Sequence, residues 1–235
     1  MEKTLFGRLG LISYAQAIAL EEGLCKLRYE GRLPDTVLVM EHPQTVTMGR
    51  FGKQENVLVA PAELARRGVA FARSNRGGDV TFHAPGQLVL HAVMDLRRHD
   101  GPLRGFITNL EETALRMLTS YGVAAERLME HPGLWVNGRQ IVAIGLHLGH
   151  GVSSHGLAIN VNPDLSLFGV INLCGQPGLE ATSITRELNR PAGMRQAVNR
   201  MMMAFAAVFR AEIVPVTKSY LTKLVIETSM PEGGL

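Results

Sequence analysis

Leu134-Trp135-Val136-Asn137-Gly138-Arg139-Gln140-Ile141-Val142-Ala143-Ile144-Gly145-Leu146-His147-Leu148 is the stretch whose reading decides the fold. Asn137-Gly138 supplies the two positive φ angles of a type I′ turn, so residues 134–136 and 141–148 are predicted to pair as a β-hairpin. Working outward, other strand signals arrive in groups. Apolar, β-branched runs at 36–41 and 45–48 are followed by 69–73, 79–83 and 87–95; 153–161 comes after the hairpin, and a short run at 212–216 closes the domain. Helical spacing lies between these groups. Ser13 and Gln16 form a capping box ahead of Tyr14, Ala17, Leu20 and Leu24, predicting a helix to about residue 29. Ile107, Leu110, Ala114 and Leu118 define a second helix, and a Met- and Ala-rich periodicity over 194–209 a third. Grouped strands between separated helices mean α+β: one domain, 1–217, with mixed, mostly antiparallel sheets flanked by helices, not alternating βαβ units. Residues 218–235, ending in Pro231-Glu232-Gly233-Gly234, read as a flexible C-terminal tail.

Composition narrows the function classes. With 46% hydrophobic and 19% charged residues among 235, the chain has material for a core and none of the charge excess of a disordered one. A formal charge of +3 is too small to argue for nucleic acid. No run of 18 or more apolar residues exists and Met1 to Gly10 lacks a signal-peptide layout, so no membrane association and a cytoplasmic location are expected. Cys25 and Cys174 are too few for a disulfide scaffold. The 8 histidines are scattered and no CxxC or HExxH occurs, so no metal is expected.

Three segments stand out chemically. In Arg76-Gly77-Gly78-Asp79-Val80-Thr81-Phe82-His83-Ala84-Pro85-Gly86-Gln87, two bends flank a short strand, which suits either a ligand cradle or an ordinary hairpin with a surface histidine. In Ser153 to Asn162, His155-Gly156 interrupts a strand, as when something approaches the backbone closely; a lone His155 is also compatible with a satisfied core histidine. Cys174 sits between an apolar strand end and a Gly/Pro-rich loop, the setting of a nucleophile or of an inert thiol, whereas Cys25 lies in an amphipathic helix and reads as inert.

Together these segments resemble the lipoyl(octanoyl) transferase family, within the biotin/lipoate protein ligase superfamily. The likeness runs from about Phe6 to Phe209 and includes Glu41-His42-Pro43, Thr47-Met48-Gly49-Arg50, the segment from Arg76, Gly133-Leu134-Trp135-Val136, Ala143-Ile144-Gly145, His155-Gly156-Leu157-Ala158-Ile159-Asn160 and Asn172 to Gly175. The resemblance implies a biotin/lipoate ligase-like catalytic domain that needs no cofactor. It implies an acyltransferase moving an octanoyl or lipoyl group from an acyl-carrier-protein thioester to a lysine of lipoyl domains, those of 2-oxoacid dehydrogenases and the glycine cleavage H protein, in protein lipoylation. Cys174 would carry the acyl group as a thioester, and Arg76, Gly77, Gly78, Asp79, Val80, Thr81, Phe82, His83, Ala143, Ile144, Gly145, Gly156, Leu157 and Ala158 would bind it. Backbone N–H groups near Gly77, Gly78 or Gly145 are candidate oxyanion donors.

Three departures from the family pattern matter. Ala84 stands where glycine is usual, Leu173 where proline precedes the cysteine, and Gln140, beside Arg139, where a lysine lowers the nucleophile's pKa. His83 and His155 are the expected substitutes for that lysine, because an imidazole can pair with a thiolate or take its proton. The alternatives are a non-catalytic carrier-binding relative, which Gln140 favours, and an ATP-dependent lipoate ligase, which the cysteine loop disfavours.

Overall fold

The computed structural model describes residues 2–98, 103–129 and 131–229. In chain order the elements are β1 (Lys3–Leu11), α1 (Tyr14–Tyr29), β2 (Asp35–Glu41), β3 (Thr45–Met48), α2 (Pro61–Arg66), β4 (Ala70–Arg73), β5 (Val80–His83), β6 (Gln87–Val93), α3 (Leu103–Tyr121), β7 (Leu134–Val136), β8 (Arg139–Gly149), β9 (Val152–Asn160), α4 (Ile184–Leu188), α5 (Met194–Phe209), β10 (Glu212–Thr217) and α6 (Lys218–Ser229). Seven strands form one sheet in the order β10-β1-β2-β6-β9-β8-β7, and three form a second, β4-β3-β5. The large sheet is antiparallel from β2 to β7 and parallel at β10-β1-β2, so the α+β architecture with mixed sheets holds.

Strand alternation divides the interior. On β2, Val37 and Val39 face α3 and α5 with Leu88 and Leu90 of β6, while Leu38 and Met40 face α1 with Val89 and Val93. Every one of these side chains is buried, which at roughly 25 cal/mol per Å² of apolar surface is the main force holding both helical layers to the sheet. The small sheet has its own core, in which Val46, Val80, Phe82 and Leu173 pack with Phe168.

The predicted hairpin forms: Asn137 and Gly138 have φ of 50° and 76°, and β7 pairs with β8. Ser13 caps α1, its hydroxyl accepting the Gln16 N–H, and the Gln16 Oε1 accepts from that hydroxyl at 3.0 Å. Two readings are corrected. β1 was not expected, and it is an interior strand between β10 and β2. Residues 218–229, read as part of a flexible tail, form α6, whose Leu221 is fully buried against Gly7 and Leu38; Pro231 to Gly234 lie outside the described residues. Among the described residues, no helix is long and apolar enough to cross a membrane.

Candidate active site

A cavity lies between the two sheets. One wall is the turn and strand from Arg76 to His83; the other is the pairing of β8 with β9, where Ala143, Ile144 and Gly145 sit opposite Ala158, Leu157 and Gly156. Gly156 has to be glycine, because a Cβ there would lie 2.4 Å from the Leu90 carbonyl oxygen on β6. Cys174 and Gln140 close one end. Of the expected site residues, only Gly77 and Phe82 are off the cavity wall. Phe82 follows strand alternation to the opposite face of β5 and packs on Phe168 at 5.3 Å. The Gly77 N–H donates to the Leu146 carbonyl at 2.8 Å and so is not a free oxyanion donor.

Cys174 is held in an uncommon conformation. Its φ of 53° and ψ of 22° put a non-glycine residue in the left-handed region, followed by Gly175 at φ 72°, strain of the kind found where a site fixes a reactive group. Two clamps hold the loop. Asn172 N–H donates to Asn56 O at 2.9 Å, and Asn56 Nδ2 donates in turn to Asp79 Oδ2 at 2.8 Å. Asp79 therefore acts through the loop as much as through the cavity, since its Oδ1 also accepts the Val80 N–H at 2.7 Å. On the other side, β8 pairs with the chain after the cysteine: Gln140 N–H donates to Glu180 O and Thr182 N–H to Gln140 O, both at 2.8 Å.

This second clamp points Gln140 at the thiol. Its Nε2 donates to Cys174 Sγ at 3.1 Å, while Arg139 on the other face pairs with Glu187 at 3.1 Å. The cation that acts on the sulfur is Arg76. Its buried guanidinium donates to Thr47 O and Asp79 O, each at 2.8 Å, and to Gly77 O at 3.0 Å, all neutral acceptors, so its charge stays available to the cavity. Burial pushes the Cys174 thiol up, the Gln140 N–H and the Arg76 charge pull it back, and Asp79 opposes them.

The histidines do something other than expected. His83 is bonded through Nδ1 to Gln87 Oε1 at 2.7 Å and stacks on Tyr14; burial and His42 hold its pKa well below the usual imidazole range. His155 is bonded through Nε2 to Asn75 Oδ1 at 2.6 Å, and burial lowers its pKa to about 4. Both line the cavity as neutral rings, but the hydrogen-bond partner of Cys174 is Gln140, so neither replaces the lysine as a direct partner of the sulfur. Scatter along the sequence also misled: His83, His42, His91 and His155 follow one another in space in that order as edge-on or tilted rings, with centroids 5.4, 6.4 and 5.4 Å apart. Tyr14, Val89, His91 and Pro132 line the cavity and were not singled out; Val89 and His91 follow from strand alternation after Gln87, whereas Tyr14 and Pro132 carry no local signal. Cys25 behaves as read: its thiol faces the Ser153 carbonyl at 3.8 Å, and burial keeps it protonated.

Residues 13–206 match the family model described as the lipoyl protein ligase A/B catalytic domain. The octanoyltransferase of Chloroflexus aggregans is 41% identical over 204 residues, covering 86% of this chain and 92% of that one. That of Nitratidesulfovibrio vulgaris is 42% identical over 203 residues, again covering 86% and 92%. Among solved structures, lipoate-protein ligase A bound with ATP superposes with a TM-score of 0.79 at 16% identity, covering 97% of this chain and 94% of that one. The bipartite lipoate protein ligase of Thermoplasma acidophilum gives 0.76, also at 16%, covering 97% and 91%. At such identities the structures establish a shared fold.

Proposed function

The chain belongs to the lipoyl protein ligase A/B catalytic-domain family, and we propose that it works as an octanoyltransferase of protein lipoylation in which Cys174 carries the acyl group between donor and acceptor. The single observation behind this reading is a left-handed cysteine at the end of a largely apolar cavity, with a hydrogen-bond donor at 3.1 Å and a buried guanidinium lining the same cavity.

The donor is an octanoyl thioester on a carrier protein's phosphopantetheine arm, and the acceptor a lysine of a lipoyl domain, those of 2-oxoacid dehydrogenases and the glycine cleavage H protein included. Cys174 gives up its proton and attacks the thioester carbonyl as thiolate, the C–S bond to the pantetheine arm breaks, and that sulfur leaves as a thiol, its proton balancing the one lost by Cys174. The acceptor amine then attacks the Cys174 thioester; an amide forms, the C–S bond to Cys174 breaks, and the proton shed by the amine returns to the departing sulfur. Exchange between thioesters is close to balanced and amide formation is downhill, so no ATP is consumed. The octanoyl chain lies along Val89, Ala143, Ile144 and Leu157, which supply apolar contact and no hydrogen bond to be satisfied. Gln140 contributes a neutral N–H to the thiolate, and Arg76 the positive charge.

Incubation with octanoylated carrier protein followed by intact-mass measurement tests this reading. An octanoyl adduct localised to Cys174 and discharged by a lipoyl domain without ATP is expected. Tight binding without an adduct, or a requirement for ATP, overturns it.

A further inference from the structure

The strands behind the cavity also build a second polar cluster on the α1 side of the large sheet. Glu21 of α1, His91 of β6 and His155 of β9 are 2%, 4% and 4% exposed. One donor atom from each lies within 4.8 Å of the others. Strand alternation brings His91 there, because Val89 and Val93, two residues to either side, pack beneath α1. His155 arrives with φ of 60° inside β9, and its backbone N–H donates to Glu21 Oε1 at 2.6 Å, fixing the carboxylate.

Hydrogen bonding leaves this cluster unbalanced. His155 Nε2–H donates to Asn75 Oδ1, so Nδ1 presents a lone pair, and it does so toward Glu21 Oε2 at 3.6 Å. A lone pair facing a carboxylate in a buried site calls for positive charge between them. His91 Nδ1 is 3.1 Å from Glu21 Oε1, yet it is sealed from solvent without an aligned hydrogen-bond partner. Two donors each about 2.0–2.1 Å from a zinc-like ion at a tetrahedral angle stand about 3.4 Å apart. The two carboxylate–imidazole separations lie near that value, 3.1 Å from Glu21 Oε1 to His91 Nδ1 and 3.6 Å from Glu21 Oε2 to His155 Nδ1, each imidazole facing a different oxygen, so a shared ion requires the carboxylate to turn or to bind through both oxygens.

We propose that Glu21, His91 and His155 form a site for one divalent transition-metal ion, bound by the Glu21 carboxylate and the Nδ1 atoms of both imidazoles, with Asn75 fixing the His155 tautomer. Two nitrogens and one carboxylate suit Zn²⁺ or Co²⁺ and disfavour Mg²⁺ and Ca²⁺, which take oxygen. His91 and His155 both border the acyl cavity, so the fourth position falls to water or to a ligand from that side. The ion ties α1 to β6 and β9 behind the cavity. This inference does not rest on the reaction assigned to Cys174.

The test is titration of chelator-stripped, untagged protein with Co²⁺, followed by visible absorption, with Zn²⁺ as competitor. A d–d band saturating at about one equivalent per chain and displaced by Zn²⁺ is expected. Asn75→Ala keeps all three ligands and is expected to weaken affinity about 10–100-fold, the usual cost of losing a partner that orients a ligand. Glu21→Gln and His91→Ala are expected to abolish the band, and His150→Ala, at an exposed histidine, to leave it intact. No band in the unsubstituted protein, or a band lost in His150→Ala and kept in His91→Ala, overturns the site and leaves Glu21 and His91 as a buried ion pair. Should Glu21→Gln fold poorly, Asn75→Ala decides: affinity unchanged by that substitution counts against the site.

Discussion

Gln140 Nε2 donates to Cys174 Sγ at 3.1 Å, so the position where the family pattern has a lysine holds a neutral hydrogen-bond donor to the nucleophile. An amide stabilises a thiolate less than an ammonium does, because a hydrogen bond to a charged donor is roughly twice as strong as one to a neutral donor. Burial already raises the Cys174 pKa, and thiolate is the minor form at neutral pH. Acyl transfer is therefore expected to accelerate as pH rises from 7 toward 9. A flat rate over that range counts against rate control by thiolate formation.

Gln140→Lys is expected to lower the Cys174 pKa and speed transfer at pH 7. Each unit of decrease raises the thiolate fraction about tenfold while thiolate remains the minor form. The lysine has to share the cavity end with Arg76, whose like charge sets a limit to the gain. Iodoacetamide alkylation of Cys174 against pH, in both forms, reads this directly. Superimposable curves are incompatible with the contact between residue 140 and the sulfur.

Arg76→Met removes the positive charge that pulls the thiol down and breaks donations to Thr47 O and Asp79 O. Transfer is expected to fall roughly a hundredfold, with the alkylation curve displaced to higher pH. Arg76→Lys restores the charge without the planar fork, so the curve is expected to return partway while loop order does not. A normal pH curve in Arg76→Met shows that the guanidinium does not reach the thiol electrostatically.

How far the site could be read in advance depended on what kind of signal each part carries. The β7 to β8 hairpin was legible because Asn137-Gly138 states its turn locally, and α5 because its periodicity is continuous from Met194 to Phe209. β1 was not legible: Lys3, Gly7, Arg8 and Gly10 blur its pattern, and its burial comes from β10 and β2, which follow much later or pair in parallel. α6 was hidden by Lys218 and Lys223 and by Pro215 shortly before it, although Leu221 is fully buried and Leu224 and Val225 pack beside it. The cavity wall was legible through family resemblance. Glu21, His91 and His155 gather only through the packing of α1 on β6 and β9, so no spacing rule reaches them.

Cys174→Ala is expected to abolish adduct formation and transfer, whereas Cys25→Ala leaves transfer within a few-fold. Cys25 has its thiol against a carbonyl and kept protonated by burial, which makes it a packing residue. Activity that survives without Cys174, or equal loss in both variants, sinks the covalent route.

Leu221→Ala is expected to destabilise the fold by about 2–5 kcal/mol, because the side chain is fully buried and its removal leaves a cavity between α6 and β1. Truncation after Thr217 exposes the same surface and should cost at least as much. Thermal unfolding measures both. A melting temperature unchanged by truncation would return residues 218–229 to the status of a tail.

Gly175→Ala separates strain from site geometry. Gly175 has φ of +72°, and an added Cβ meets Asp79 Oδ2 at 2.4 Å and Asn56 Nδ2 at 2.9 Å, so the clamp on the cysteine loop has to open. Gly138 has φ of +76° with nothing within 4 Å of such a Cβ. Both substitutions carry the left-handed penalty of about 1–2 kcal/mol, but only the first moves Cys174 away from Gln140. Gly138→Ala is therefore expected to lower the melting temperature by a few degrees and keep its acyl-transfer rate, while Gly175→Ala shows a similar or larger thermal loss together with a more than tenfold fall in transfer. The Cys174 alkylation curve should shift only in Gly175→Ala, since only there does the sulfur lose the Gln140 N–H. Equal transfer rates in the two variants would mean that the hold of Asn56 and Asp79 on the loop does not set the position of the nucleophile.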